Sequence, residues 1–418
     1  MRIASCGIDF GTSNTSAAIS KDENVNLVPV EGNSVIIPSA VFYKRNGSVP
    51  FYGRQAVNLF FSRQEGRFMR SLKRVLGTSL MKQGTLVNGK LMRFENIISS
   101  FLKNIKQQVD SSVGKEMEHV IMGRPVHFMD DDLEGDKRAE SELRAIAQQI
   151  GFKHVEFQFE PIAGAFAHEI KLKEEKLAIV ADLGGGTSDF TVIRLSNQFI
   201  HKHDRSNDIL ANTGVRVGGN DFDKDLSLAA VMPEIGYQTT YGEKDLEVPP
   251  KPFHDLAEWS KVNFLYTTKV LAQTRQFLHQ AHDRRRYQRL LKVLEQETGH
   301  SLLAATEETK IALTSSDEFK TALYFIEEGL EINVKRSLLE KSIKERIERI
   351  SNCTLQCLRQ AQVKSDDIKL VILTGGSTEL PIVQAEFKKL FPNAEVADEN
   401  KLSSVGLGLA YDGMNRFR

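Results

Sequence analysis

Cysteine is almost missing from this chain of 418 residues. It has three, Cys6, Cys353 and Cys357, and the odd count gives no closed disulfide framework. The last two stand at i and i+4 in a helical-looking stretch, so they are no CxxC redox pair either. Such usage suits a reducing compartment, and a cytoplasmic protein is expected. Long apolar runs are also lacking. No stretch reaches the roughly 18 residues that a membrane-spanning helix needs. Ile3-Ala4-Ser5-Cys6 looks superficially like a lipoprotein cleavage site, but no apolar run of about 7–15 residues precedes it. A soluble chain without a targeting segment is the expectation. Net charge is absent too, because 55 lysines and arginines balance 55 aspartates and glutamates. No global field then favours nucleic acid or an anionic membrane as partner. What remains, 41% apolar and 26% charged residues, describes a globular protein, and its length implies two to four domains.

Glycine is present where it matters. Residues 181–190 read ADLGGGTSDF, a glycine triplet between Asp182 and Asp189 with apolar strand patterns on either side. Such a triplet permits close backbone approach at an entropic cost that no ordinary hairpin needs. Its successive N–H groups can form an anion-binding nest. Two flanking carboxylates make sense if Mg²⁺ accompanies the anion, since Mg²⁺ binds through one or two carboxylates plus phosphates. The same device stands at the N-terminus as Asp9-Phe10-Gly11-Thr12-Ser13-Asn14, and the two aspartates lie 173 positions apart. That distance is no solenoid period. It implies two halves of similar build, each opening on the same hairpin and together gripping one polyphosphate. Two more glycine turns follow, Val217-Gly218-Gly219-Asn220 before a helix and Thr374-Gly375-Gly376-Ser377-Thr378 after the buried strand Leu370–Leu373.

Between these points the pattern gives helices over 140–150 and 161–170, the second with Pro161 at its start. Residues 232–299 differ in texture, with Pro249-Pro250-Lys251-Pro252, an aromatic cluster around Trp259 and an apparent long charged helix over 261–297. They read as a peripheral, mostly helical subdomain. A further long helix is expected over 337–362. Three other features are set aside. Gly84 to Leu91 nearly spells a P-loop, but Leu91 occupies the Mg²⁺-binding Ser/Thr position, and Asn88-Gly89 is a good hairpin turn. His201-Lys202-His203 has no third ligand nearby. Arg284-Arg285-Arg286 with Arg289 and Lys292 reads as a solvated helix face.

Taken jointly, the loops resemble the two phosphate motifs and the adenosine motif of the actin, sugar-kinase and heat-shock ATPase superfamily. The segments between them resemble the seventy-kilodalton heat-shock chaperones of DnaK type. SLKRVLG at 71–77 resembles that family's KRLIG segment with its catalytic lysine, and EPIAGAFA at 160–167 resembles EPTAAAIAYG. GGNDFD at 218–223 resembles GGEDFD, and ILTGGSTELP at 372–381 resembles LVGGSTRIP. The matches run in family order from residue 3 to 410. The chain reaches Arg418 just after Gly406–Ala410, which resembles the end of the family's nucleotide-binding domain. The resemblance therefore implies a standalone ATPase module, similar to the YegD-type bacterial members, without a peptide-holding β-sandwich.

The expected fold is α/β and actin-like, two lobes each with a mixed sheet flanked by helices and nucleotide in the central cleft. Lobe I would take residues 1–172, with a peripheral subdomain at about 41–117, completed by 398–418. Lobe II would take 173–397, with a mostly helical subdomain at about 224–349. The resemblance implies ATP or ADP with Mg²⁺ as ligands, and Asp9 and Asp182 facing the metal through its waters. Lys73 would meet the γ-phosphate, while Glu160 and Asp189 would orient water or a cation such as K⁺. Gly11, Thr12, Ser13, Asn14, Gly184, Gly185, Gly186 and Thr187 would hold phosphates, and Gly218, Gly219 and Asn220 would lie near the anion. Gly375, Gly376 and Ser377 would approach the nucleoside. Glu307 and Lys310 would meet the ribose, with Thr314 on the same helix. In the family two arginines sandwich adenine, but here Ile311 and Glu379 replace them, so weaker binding and a relaxed base preference are expected. Other proteins would be met through lobe II by a monomer that binds neither nucleic acid nor membrane. Two rivals remain: a small-molecule kinase of the same superfamily, and an actin-like filament protein.

Overall fold

In a computed structural model the described residues are 3–417, apart from 22–23, 48, 63, 130–131, 201, 203–204 and 398–402. His201 and His203 thus lie outside the described residues. The chain divides into two compact units, one of residues 1–218, 349–378 and 383–418, the other of 219–348 with 379–382.

The first unit holds two sheets of the same design. Sheet one is built on β1 (Ser5–Phe10), β2 (Asn14–Lys21), β3 (Asn24–Leu27), β4 (His119–Arg124) and β5 (His154–Phe159), in the order β5-β4-β1-β2-β3. Sheet two has β6 (Lys176–Leu183), β7 (Ser188–Leu195), β8 (Ile209–Val215), β9 (Leu370–Thr374) and β10 (Glu395–Ala397), in the order β10-β9-β6-β7-β8. In each, the first three strands form an antiparallel meander and the last two add in parallel on the other side of the first. The central strands are apolar on both faces, as strands covered by helices on both sides must be.

The helices repeat as well. In the first half α1 (Phe94–Val113) precedes β4, α2 (Leu133–Gln149) joins β4 to β5, and α3 (Glu160–Glu169) follows. In the second, α4 (Lys344–Ala361) precedes β9, α5 (Pro381–Leu390) joins β9 to β10, and α6 (Ser404–Arg416) follows. The final helix of each half crosses to the other sheet. Ile162, Ala165 and Phe166 of α3 share a core with Ala178, Val180, Ile193 and Ile372 of sheet two. Leu409 and Val405 of α6 pack with Ile121 of sheet one and Ala163 of α3. α2 starts at Asp132, whose carboxylate accepts the Gly135 N–H, a cap that satisfies an orphan donor.

In the second unit the helix Gly219–Leu226 continues as a π turn, Ser227–Val231. The helix expected over 261–297 is three pieces: a 3-10 turn Val262–Leu265 and the helices Thr268–Gln280 and Arg284–Glu295. Two caps make the breaks. Thr267 accepts the Val270 N–H, and Asp283 accepts the Arg286 N–H. Between the helices Ala281 is extended and bridges to Tyr241, while the His282 N–H donates to Thr240 O. The arginine run is solvated at Arg284 and Arg285, as expected, but turns inward at Arg289. Arg289 is buried and donates to Glu327 and Glu234, Arg285 pairs with Glu327, Arg286 with Glu234, and Lys292 caps the Ile326 carbonyl. The long helix at 337–362 is likewise two, Arg336–Ser342 and α4, parted at Ile343. The Asn88-Gly89 turn is a hairpin, between strands Gly84–Val87 and Lys90–Arg93 with both turn residues at positive φ.

Candidate functional site

The corresponding strands of the two halves end on corresponding acids. Asp9 lies near the end of β1 opposite Ser16, and Asp182 near the end of β6 opposite Asp189. Each hairpin turn is fastened by hydroxyls. Ser39 donates to Gly11 O, its N–H donates to Ser13 O, and its side chain pairs with Thr15. In the second half Gly184 N–H donates to Thr187 O, Ser377 Oγ to Gly184 O, and Ser188 Oγ to Val217 O. The two turns touch. A Cβ at Gly185 would lie 2.2 Å from Ser13 Oγ, and one at Gly218 would lie 2.6 Å from Gly186 N. Glycine at both positions is therefore a packing requirement, and it leaves backbone N–H groups of three loops gathered together.

Charge is concentrated beside these turns. Lys73, in the 3-10 turn Leu72–Val75, donates to Glu160 at the first residue of α3. Lys73, Glu160, Asp182 and Asp189 are 7%, 6%, 7% and 1% exposed. Asp189 Oδ1 accepts the Val126 N–H at 2.7 Å from the loop after β4. One ammonium thus stands among four carboxylates, and the acids resist ionisation. Burial, then Glu160, pushes Asp182 up to about 7, against the Thr374 hydroxyl and Lys73. Asp9 and Asp189 are held well above the usual carboxylate range, by burial first and by Glu160 second. Burial pulls Lys73 down, but Glu160 and Asp9 outweigh it, so the ammonium is kept. Crowding of this kind is relieved by a cation. Among the described residues no three His, Cys, Asp or Glu form a metal-holding group. The donor set accordingly fits an ion held through waters and substrate oxygens, not an all-protein cage.

Gly11, Thr12, Ser13, Asn14, Lys73, Glu160, Asp182, Gly184, Gly185, Gly186, Thr187, Asp189, Gly218, Gly375, Gly376 and Ser377 all belong to the first unit. Gly219, Asn220, Glu307, Lys310, Ile311, Thr314 and Glu379 belong to the second. There Lys310, on the helix Gly299–Ser315, ion-pairs with Asp223 at 2.8 Å and donates to Gly219 O at 3.2 Å. Its charge is therefore committed within that unit. Ile311 is 58% exposed, unusual for an isoleucine. Two contributors escaped the sequence reading. Ser39 is one of many serines and no local pattern marks it, and Arg216 sits beside the glycine pair of Val217-Gly218-Gly219 without a motif of its own.

Doubled sheets of this topology, each opening on an acid-bearing glycine hairpin, define an actin-like ATPase fold. The family model described as "Hsp70 protein" matches residues 5–238 and 272–413. The chain belongs to the Hsp70 family. It is 26% identical over 415 residues to the chaperone protein DnaK of Thermotoga neapolitana, and equally so to that of Thermosipho africanus. It is 24% identical over 431 residues to a chaperone protein HscA homolog of Shewanella piezotolerans. Each match covers 97% of this chain and 58% of the relative, so the chain spans under two thirds of their length. The stretch left unmatched, 239–271, falls in the segment of different texture.

Proposed function

We propose that this chain binds ATP with Mg²⁺ and hydrolyses it slowly, as the nucleotide-driven part of a chaperone system. The observation that carries the reading is the buried Lys73–Glu160 pair among Asp9, Asp182 and Asp189, beside two glycine turns in contact. The gathered N–H groups of 11–14 and 185–187 would cradle the phosphates, with Gly184 closing the turn and Thr12, Ser13 and Thr187 adding hydroxyl donors. Asp9 and Asp182 would hold Mg²⁺ through its waters. Bound there, the metal supplies positive charge to the phosphate oxygens as the terminal bond breaks. Lys73 would turn from Glu160 to the terminal phosphate, which frees Glu160, with Asp189, to orient the attacking water or a K⁺ ion. Because that exchange needs a buried pair to part, slow turnover is expected. Positioning and electrostatics would supply nearly all the catalysis.

Partners would be other proteins, met through the second half of the chain by a monomeric cytoplasmic protein. Support comes from the hairpin Thr240–Tyr241/Leu246–Glu247, where Leu246 is exposed, within the stretch outside the family match. The test of the reading is single-turnover hydrolysis without any added sugar. Lys73→Ala should slow it at least about a hundredfold, the scale of losing one electrostatic stabiliser. A wild-type rate matched by the variant would remove the assignment, and phosphate transfer only to an added sugar would favour a kinase.

A further inference from the structure

The 3-10 turn that carries Lys73 is held in an unfavourable shape. Ser71, just before it, is in the left-handed region at φ 59, ψ 34 and is buried at 2% exposure. A non-glycine residue stays there only where its surroundings over-determine it. The turn's own hydrogen bonds are ordinary, Arg74 N to Ser71 O at 3.1 Å and Leu76 N to Lys73 O at 3.2 Å, so the hold on Ser71 comes from outside the turn. Its far end is fastened by α2, where Glu142 accepts the Gly77 N–H at 2.8 Å. Its middle is held from the other sheet. Arg216, directly after β8, donates from Nη2 to Arg74 O at 3.2 Å and from Nη1 to Met129 Sδ at 3.0 Å.

Arg216 is itself well anchored. The next residue, Val217, is fully buried, its N–H bonds Val215 O, and its carbonyl accepts Ser188 Oγ. Met129 lies in the loop after β4 whose Val126 N–H meets Asp189. Sheet two therefore reaches sheet one at two linked points, Asp189 on the loop and Arg216 on both the loop and the lysine turn. A planar guanidinium can serve two acceptors in fixed directions, which a lysine ammonium on a flexible stem does less well.

We infer that Arg216 is a positioning residue: by holding the Arg74 carbonyl it keeps the strained turn, and with it the Lys73 ammonium, aimed among the site carboxylates. Its consequence for chemistry rests on the ATPase reading above; the anchoring does not.

Hydrogen exchange of the nucleotide-free protein tests the anchoring. Arg216→Met should speed exchange of amides 72–77 at least about tenfold, with the β6–β7 hairpin unchanged, and Arg216→Lys should fall between. The link to chemistry is read by a double-mutant cycle in single-turnover hydrolysis. Arg216→Met should slow wild type about tenfold with nucleotide affinity within about twofold, a 1 Å misplacement being worth up to about a hundredfold. In the Lys73→Ala background the same change should do nothing. Unchanged exchange at 72–77, or equal slowing in both backgrounds, would overturn the assignment. Faster exchange in a protein that never hydrolyses ATP would uphold the anchoring and sink the ATPase reading instead.

Discussion

The two halves of the first unit use one scaffold for unequal purposes. The order of the five main strands and the helix placement agree between sheet one and sheet two, although sheet one adds Ile36–Pro38 on β2 and β7 shifts register against β8 at Val192–Ile193. The residue facing the hairpin aspartate differs as well. Opposite Asp9 stands Ser16, buried against α6. Opposite Asp182 stands Asp189, which reaches across to the Val126 N–H. The first turn is tied down by Ser39, the second by Ser377, Ser188 and the approach of Gly218. The repeat thus delivers one acid per half at matching places, while the working asymmetry comes from single positions beside them. Symmetry builds the cradle, and the departures from it give the cradle direction.

That contrast can be broken by substitution. Asp182→Asn should slow single-turnover hydrolysis at least about a hundredfold. If the halves are equal partners around the metal, Asp9→Asn should follow within an order of magnitude. Converting the second half toward the first by Asp189→Ser should slow hydrolysis about tenfold to a hundredfold, the low end for a positioned carboxylate. Ser16→Ala should change it less than about twofold, since Ser16 lacks any charge to offer. Equal effects at 16 and 189 would mean that the difference between the hairpins is without consequence.

A smaller effect concerns the proposed base contact, where the family resemblance implies that Ile311 and Glu379 replace two arginines. Stacked guanidiniums are worth about 0.5–2 kcal/mol each. With the apolar contact of Ile311 subtracted, Ile311→Arg with Glu379→Arg should tighten nucleotide binding about 5–150-fold, or about 1–3 kcal/mol. Calorimetric titration checks it, and no gain would mean that other residues form the adenine contact.

The smallest effect is a pH dependence. Asp182 is raised from 3.8 to about 7 in the folded protein. Between those values the folded state binds more protons than the unfolded one, so stability falls as pH rises through that window. With chelator and no nucleotide, the melting temperature should be several degrees higher at pH 5 than at pH 7.5. Asp182→Asn should flatten this profile in thermal melts, and a wild-type profile rising with pH would refute the assigned crowding.

Much of this was legible in the sequence, for identifiable reasons. The hairpins carry their own signal, because Asp9 and Asp182 recur before glycine turns between apolar strands. Pro161 marked the start of α3, and Asn88-Gly89 its hairpin. The second unit was harder. Periodicity alone runs straight through 261–297, although Thr267 and Asp283 are ordinary caps, because a charged amphipathic pattern does not register a break of two or three residues. Arg284 and Arg285 do face solvent, but the burial of Arg289 was hidden, since its acids, Glu234 and Glu327, lie far off in sequence. For the same reason Ser39 and Arg216 were invisible: each acts on a carbonyl that only the fold brings near.

The central claim is that the paired hairpins form a phosphate and Mg²⁺ site. Calorimetric titration of ATP into wild type and Asp182→Asn, each with and without Mg²⁺, tests it most directly. The account predicts that Mg²⁺ tightens wild-type binding at least about tenfold, a difference of about 1.4 kcal/mol, and that Asp182→Asn loses most of that gain. Binding that ignores Mg²⁺, or a metal effect that survives intact in Asp182→Asn, would contradict it.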